Sequence, residues 1–212
     1  MYICQHKRRV IVKRKFERVY QFKITLKGIK PAIWRQIQVP ETFSFWDLHV
    51  AIQDVMGWLD YHLHQFSIVN PSSGMKVEIG IPDDEFDIEG DIEILPGWKQ
   101  KISAYFSLGN TRADYIYDFG NHWEHALKLE NILPREKGII YPICVNGGRS
   151  CPPEDCGGHW GYKDFLEIIM DPNHEQYHEM LEWVGGEFDP EHFDIKEVIF
   201  DNPDERKKIA LS

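Results

Sequence analysis

The stretch VYQFKITLKGIKPAIWRQIQVP, residues 19–40, decides the fold of this chain. Apolar and polar side chains alternate over residues 20–26 and again over residues 33–39. This period of two is typical of strands with one buried face. Gly28 and Pro31 between the two runs supply turn residues. The stretch therefore predicts an antiparallel hairpin over residues 19–39.

A helix is predicted directly after this hairpin. Ser44 and Asp47 have the spacing of a capping box, and Gly57 is a natural stop. Between them the apolar residues recur at the three-and-four spacing of a core-facing helix, which we expect to end near Met56. Alternating patterns predict two further hairpins, one from strands at 62–69 and 75–79, the other over 115–130.

The elements together predict an α+β fold. We expect a roll of mostly antiparallel β-hairpins around a central helix, β-grasp-like, with short C-terminal helices at about 162–170, 173–184 and 190–200. The predicted domain organisation is a basic N-terminal arm at 1–18, a single domain at 19–200, and a charged, frayed tail at 201–212.

Charge is divided unevenly along the chain. Residues 1–30 hold ten Lys or Arg against one acid, although the formal net charge of the whole chain is −10. The arm could contact nucleic acid by neutralising phosphates. It could equally be a solvated edge held against the acidic surface of the molecule. The arm residues in question are Lys7, Arg8, Arg9, Lys13, Arg14 and Lys15.

The chain contains no apolar run of eighteen residues and no apolar block of a secretory signal near its first residue. We therefore expect a soluble, cytoplasmic protein without a membrane partner. In that compartment cysteines are thiols or metal ligands more often than disulfides.

Three of the four cysteines lie in YPICVNGGRSCPPEDCGGHWGY, residues 141–162. Cys144, Cys151, Cys156 and His159 supply the soft donors and the number of ligands that a structural zinc ion takes, with His125 as an alternative fourth ligand. The paired CxxC halves of a zinc ribbon are missing, so the other interpretation is thiols that pack as small hydrophobic groups.

A second candidate site combines acids with a histidine. Asp118 and His125 belong to the hairpin predicted at 115–130, and Glu154 and Asp155 belong to the cysteine-rich stretch. Such groups beside a metal could perform acid and base catalysis. For His125 alone the other interpretation is a core histidine that hydrogen-bonds a backbone carbonyl or Asp118.

The motifs YIYDFGNHWEHALKLE and YPICVNGGRSCPPEDCGGHWGY, with KPAIWRQIQVP and FWDLHVAIQDVMGW upstream, carry a family resemblance. The chain resembles the plasmid pRiA4b Orf-3-like family over about residues 18–200. The resemblance implies an α+β roll and a link to plasmid or transposon biology, and it implies no defined activity.

Two functions follow as expectations. The first is a binding or accessory protein whose cysteine-rich loop holds a structural zinc ion. The alternative is a metal-dependent hydrolase or nuclease that uses Asp118, His125, Glu154 and Asp155.

Overall fold

The chain forms one eight-stranded β-sheet in a computed structural model that describes residues 15–82 and 93–211. The strands are β1 (Arg18–Leu26), β2 (Trp34–Pro40), β3 (His64–Val69), β4 (Lys76–Gly80), β5 (Ile94–Pro96), β6 (Arg112–Tyr117), β7 (Trp123–Pro134) and β8 (Ile143–Gly148). Their spatial order is β5-β4-β3-β6-β7-β1-β2-β8. All pairs are antiparallel except β4 with β5. The predicted α+β class with a mostly antiparallel sheet is confirmed.

The predicted hairpin at 19–39 is β1 with β2, in a register that places Tyr20 opposite Val39. Along β1 the side chains alternate as expected, since Phe22 and Ile24 are fully buried and Lys23 is half-exposed. The other predicted hairpins are also present, as β3 with β4 and as β6 with β7.

Helix α1 (Phe45–Met56) begins and ends where the sequence predicts. The Ser44 hydroxyl accepts a hydrogen bond from the Asp47 amide at 3.2 Å, and the Asp47 carboxylate accepts one from the Ser44 amide at 2.7 Å. Gly57 ends the helix with φ +80°, a left-handed conformation that favours glycine. Ten of the twelve residues of α1 are buried, which places this helix in the core. The closer description as a β-grasp-like roll around α1 stays a prediction.

The C-terminal part corrects two expectations. The remaining helices are α2 (Ile102–Tyr105), α3 (Gly158–Met170), α4 (Tyr177–Val184) and α5 (Pro203–Ala210). Residues 190–200 form turns rather than the predicted helix. The tail predicted to fray is helical, because Asn202 caps it, Pro203 starts it and Arg206 binds carboxylates beside α1. The assignment of arm, domain and tail as separate units stays a prediction.

The sequence did not predict two strands. Short β5 lies beside β4, and β8 lies within the cysteine-rich stretch that we interpreted as a loop. Both are edge strands, and β8 contains two glycines that suggest a turn in the sequence. Of the six basic arm residues named as nucleic-acid candidates, only Lys15 lies within the described residues, where it is exposed. The nucleic-acid prediction for Lys7, Arg8, Arg9, Lys13 and Arg14 lies outside them.

Candidate metal site

Three loops meet at the end of the sheet where β6 ends and β7 begins. They are the connection 57–63 after α1, the turn 118–122 between β6 and β7, and the segment 151–157 before α3. The amide of Asp118 donates to the carbonyl of Leu63 at 2.9 Å, and the indole of Trp58 donates to the carbonyl of Pro152 at 2.9 Å. These bonds fix the three loops against one another.

Asp118 is a buried carboxylate that shapes the β6–β7 turn. One carboxylate oxygen accepts hydrogen bonds from the amides of Gly120 and Asn121 at 3.0 and 3.2 Å, and the other accepts one from the Asn121 side chain. Asp118 itself has φ +57°, a conformation that Asp tolerates better than most residues. The turn therefore holds Asp118 in a fixed position with only 5% of its surface exposed.

His62 and Asp155 complete a cluster around Asp118. The Nε2 atom of His62 lies 3.0 Å from an oxygen of Asp155 and 3.6 Å from Oδ2 of Asp118. All three ligand atoms lie within 4.8 Å of one another. Asp155 is largely exposed, whereas His62 is about one-third exposed. The cluster is therefore buried on the Asp118 side and open to solvent on the Asp155 side.

The spacing of these atoms matches a metal coordination sphere. With metal–ligand distances of about 2.1 Å, neighbouring ligand atoms are separated by about 3.0 Å in octahedral and about 3.4 Å in tetrahedral geometry. His62 and Asp155 are within hydrogen-bond distance at 3.0 Å, and His62 lies 3.6 Å from Oδ2 of Asp118, so both separations are also close to these ligand–ligand values. Two carboxylates and one imidazole form a mixed oxygen and nitrogen donor set suited to divalent transition metals.

Glu154, one of the predicted catalytic residues, connects two loops. Its carboxylate accepts hydrogen bonds from the Tyr117 hydroxyl and from the Leu59 amide, both at 2.6 Å. Burial and the neighbouring Glu154 carboxylate raise the pKa of Tyr117, so this hydroxyl remains a donor. Glu154 therefore positions the loops, and its carboxylate is not among the three groups whose ligand atoms converge.

His125 lies away from the cluster, on the buried face of β7. Its ring is fully buried and packs at 5.5 Å from Trp58 and 5.2 Å from Tyr115. Burial lowers the pKa of His125 to about 3. The backbone groups of Tyr115 and Trp123 raise this pKa, but by less than burial lowers it. Neither ring nitrogen forms a hydrogen bond of normal geometry within the described structure. The predicted burial is therefore confirmed, whereas the predicted partner Asp118 bonds its own turn instead.

The cysteines predicted to bind zinc have separate partners. The thiol of Cys151 accepts a hydrogen bond from Arg35 at 3.2 Å and lies 3.1 Å from the sulfur of Met56. Cys144 faces the carbonyl of Asn146. In the part of the chain that the structure describes, His62, Asp118 and Asp155 form the one group of three or more such residues with converging ligand atoms. The structure therefore does not bring the predicted zinc ligands together.

Burial disfavours the thiolate form at these cysteines. It raises the pKa of Cys151 to about 11 and that of Cys156 to about 12, and it raises the pKa of Cys144. The ring of His159 packs edge-on against Trp123 at 5.2 Å. The zinc site with this ligand set, including His125 as the alternative ligand, stays a prediction.

His62 is the cluster residue that the sequence did not identify. The strand predicted at 62–69 begins instead at His64, whose side chain is buried, so His62 lies in the loop before β3. The missing information was the pairing of β3 with β6, which places His64 opposite Tyr117 and so brings His62 beside Asp118.

The fold and the cluster define a class: a single-sheet α+β protein with a candidate divalent metal site on the loops at one end of the sheet. The family model "Plasmid pRiA4b ORF-3-like protein" matches residues 18–197, so the chain belongs to this family. The resemblance stated from the sequence motifs is confirmed.

Relatives with no known function are similar over most of the chain. An "Uncharacterized protein y4hQ" from Sinorhizobium fredii is 38% identical over 79% of this chain and 81% of its own length. The crystal structure of protein of unknown function MM3350 from Methanosarcina mazei Go1 covers 88% of this chain and all of its own, with 50% identity and a TM-score of 0.81. Among the described residues, no helix combines the length and apolar character needed to cross a membrane.

Proposed function

We propose that the protein binds one divalent transition-metal ion through His62, Asp118 and Asp155. The observation that carries this proposal is the mutual distance of the three ligand atoms, all within 4.8 Å. Asp118 supports it independently, because a buried carboxylate held by a turn offers a preformed oxygen ligand.

The donor set favours Mn²⁺, Fe²⁺ or Zn²⁺ over calcium. Calcium prefers six to eight oxygen ligands, whereas an imidazole nitrogen suits the transition metals. The site provides three protein ligands, and sites that keep open positions are typical of catalytic rather than structural ions.

Metal-dependent hydrolysis is therefore the reaction that we propose for this site. A metal-bound water would be the nucleophile, because the ion lowers its pKa towards neutrality. Glu154 would hold the loops in place through Tyr117 and Leu59. This assignment differs from the sequence-based one, in which Glu154 and His125 lined the site beside Asp118 and Asp155.

The test is Mn²⁺ binding followed by electron paramagnetic resonance and calorimetry. We expect about one ion per chain, and at least about tenfold weaker binding in Asp155→Asn and His62→Gln, in line with the loss of one ligand. Asn tolerates the left-handed backbone of Asp155, where φ is +60°, so this variant should fold. The matched control is His178→Gln, because His178 is an exposed histidine of α4 outside the cluster.

Equal Mn²⁺ binding in the cluster variants and the wild type, or no binding by any of them, would refute the site. The hydrolase proposal has its own assay, cleavage of bis(4-nitrophenyl) phosphate with and without Mn²⁺. Activity that depends on Mn²⁺ and disappears in Asp155→Asn supports hydrolysis. A tightly bound ion without turnover of any phosphoester would leave metal binding as the function and reject the reaction.

Two earlier hypotheses remain separate proposals. A structural zinc at the cysteines predicts about one zinc per chain by elemental analysis, lost in Cys151→Ser and Cys156→Ser. A binding or accessory role in plasmid or transposon biology predicts that the basic arm binds nucleic acid, with affinity that falls steeply as salt rises.

A further inference from the structure

A pocket of about 330 Å³ lies between the turn of the β1–β2 hairpin and the first two turns of α3. Its lining includes Lys30, Arg149, His159, Trp160, Tyr162 and Lys163. Gly28 of the hairpin turn packs so closely on His159 that a Cβ there would lie 2.9 Å from the imidazole. The hairpin and the helix are therefore held in contact below the pocket, whose volume is at the lower end of the range for small-ligand sites.

Tyr162 contributes a buried hydroxyl without a partner. Only 1% of this residue is exposed, and its hydroxyl forms no hydrogen bond within the described structure. Its ring is held by Phe165 and Phe188 at centroid distances of 6.4 and 6.3 Å. Because a buried hydroxyl without a hydrogen-bond partner is unfavourable, a ligand that accepts its hydrogen bond would recover that cost.

The charged groups that line the pocket are cationic. Lys30, Arg149 and Lys163 contribute to the lining, and none of the described lining residues is acidic. The guanidinium of Arg149 donates to the carbonyl of Pro31 at 2.8 Å and is paired with Glu191 at 2.7 Å. These contacts fix its planar donor group at the pocket. Lys163 is paired with Glu167 at 3.4 Å on the exposed side of α3. An anion in the pocket would therefore be bound by Lys30 and by the guanidinium N–H groups of Arg149 that Pro31 and Glu191 leave free.

Trp160 provides a flat apolar surface at the mouth of the same pocket. It is 79% exposed, the most exposed aromatic side chain among the described large hydrophobic residues. An indole in this position offers a stacking face for a planar ring such as a nucleobase.

We infer that this pocket binds a small planar ring that carries a phosphate group, of the nucleoside monophosphate class. Trp160 stacks on the ring, Arg149 with Lys30 holds the phosphate, and the Tyr162 hydroxyl donates a hydrogen bond to it. Arginine forks and lysine point charges are the usual protein groups for phosphate. The inference is independent of the metal site, because no residue of the cluster lines the pocket.

The experiment is calorimetric titration of the full chain with AMP in the presence of EDTA, which removes any contribution of a bound metal. We expect a dissociation constant below about 1 mM, equivalent to about −4.1 kcal/mol. Three ligands test its parts: adenosine lacks the phosphate, inorganic phosphate lacks the ring, and benzoate places a carboxylate on a ring. Each should bind at least about tenfold more weakly than AMP.

Two substitutions report on the residues without disturbing the fold. Tyr162→Phe removes only a hydroxyl without a hydrogen bond, and Trp160→Ala truncates an exposed side chain. Each should weaken AMP binding about tenfold. The thermal midpoint should be kept in Trp160→Ala and kept or raised in Tyr162→Phe, which removes the unpaired hydroxyl. The control is Lys137→Gln, an exposed lysine that does not line the pocket.

No AMP binding at about 10 mM, or binding unchanged in both variants, would overturn the assignment. Benzoate binding as tight as AMP binding would overturn the phosphate part, because the site would then prefer aromatic carboxylates.

Discussion

Three buried histidines show how differently one residue type is accommodated. His49 has partners on both ring nitrogens, the Tyr115 hydroxyl and Asp60, each at 2.8 Å. His64 stacks on His49 with ring centroids 3.4 Å apart, and burial together with His49 lowers its pKa far below the usual value. His125 packs among aromatic rings. At neutral pH, His64 and His125 are therefore uncharged core residues.

This burial predicts a loss of stability in mild acid. The pKa of His125 is about 3 in the folded state and about 6.5 in an unfolded chain. Between these values the unfolded state binds one more proton, so the stability present above pH 6.5 falls as the pH falls. Between pH 7 and pH 5, His125 should account for a loss of about 2 kcal/mol in the free energy of unfolding.

Urea denaturation of His125→Leu at both pH values measures this contribution. We expect the loss of stability from pH 7 to pH 5 to be about 2 kcal/mol smaller than in the wild type. His178→Leu, at an exposed histidine of α4, should show the wild-type loss. Identical pH dependence in all three proteins would mean that His125 is not buried as a neutral ring.

Among site residues, the sequence indicated those whose local context was unusual. Asp118 and Asp155 were identified because they occur in turn-forming motifs with neighbouring histidines or cysteines. His62 was not, because its role depends on the pairing of β3 with β6, which no local pattern encodes. The same holds for Tyr162, whose unpaired hydroxyl is a property of packing.

Among elements, α5 shows how a charged segment becomes part of the fold. Arg206 forms ion pairs with Asp54 at 3.0 Å, Asp60 at 3.3 Å and Asp201 at 3.0 Å. The indole of Trp46 in α1 also donates to the carbonyl of Pro203 at 2.8 Å. Composition predicted a frayed tail, because the acidic partners of Arg206 are distant in sequence and only the fold brings them close.

Loss of the Arg206 charge should release this helix. Asp54 and Asp60 are 3% and 9% exposed, so Arg206→Met would leave buried carboxylates with less compensation. We expect a loss of about 3 kcal/mol in the free energy of unfolding. Cleavage of the C-terminal segment by trypsin should accelerate at Lys207 and Lys208.

The control is Lys208→Met, which removes an exposed ion pair with Glu205 and should change stability by less than about 0.5 kcal/mol. A similar effect of the two substitutions would contradict the role of Arg206.

The open face of the sheet contains a row of like charges. Lys128 on β7 lies opposite Lys23 on β1 and opposite Arg112 on β6. Facing like charges destabilise a sheet, so Lys128→Gln should raise the free energy of unfolding by about 0.5 kcal/mol.

The dependence of this stability gain on salt concentration distinguishes charge repulsion from other effects of the Lys128→Gln substitution. The gain should vanish at about 1 M salt, where the Debye length is about 3 Å. Lys137→Gln, at an exposed lysine outside this row, should leave stability unchanged at low and high salt. A gain in Lys128→Gln that persists at high salt would rule out charge repulsion as its cause.

For the whole molecule, ion binding and folding should be linked. The cluster joins loops that come from residues 57–63, 118–122 and 151–157, so it exists only in the folded chain. An ion at about one hundred times its dissociation constant adds about 2.7 kcal/mol. For a chain of this size the midpoint of thermal unfolding should rise by about 5–10 °C with Mn²⁺. Because Asp155→Asn should bind the ion at least about tenfold more weakly, its midpoint should rise by about half as much or less at the same Mn²⁺ concentration, and an equal rise in both proteins would place the ion elsewhere.

The α+β class of the fold was predictable from the sequence, whereas the edge strands and the candidate sites were not. The strands β1, β2 and β7 are long and half-buried, so their alternation is clear in the residues. The edge strands β5 and β8 bury little and carry weak patterns. The sites combine residues from distant segments, and their geometry depends on strand order rather than on any local period.

The interior position of β1 in the sheet also has a consequence for biosynthesis. One side of β1 is occupied by β2, its immediate neighbour in sequence, but the other side is occupied by β7, with Leu26 opposite His125. Leu26 and His125 are 99 residues apart in the sequence. A ribosome needs about 5–20 s to translate that many residues. Throughout that interval the emerging β1–β2 hairpin carries an unpaired edge, and nascent chains that stop before β7 would expose it to other strands.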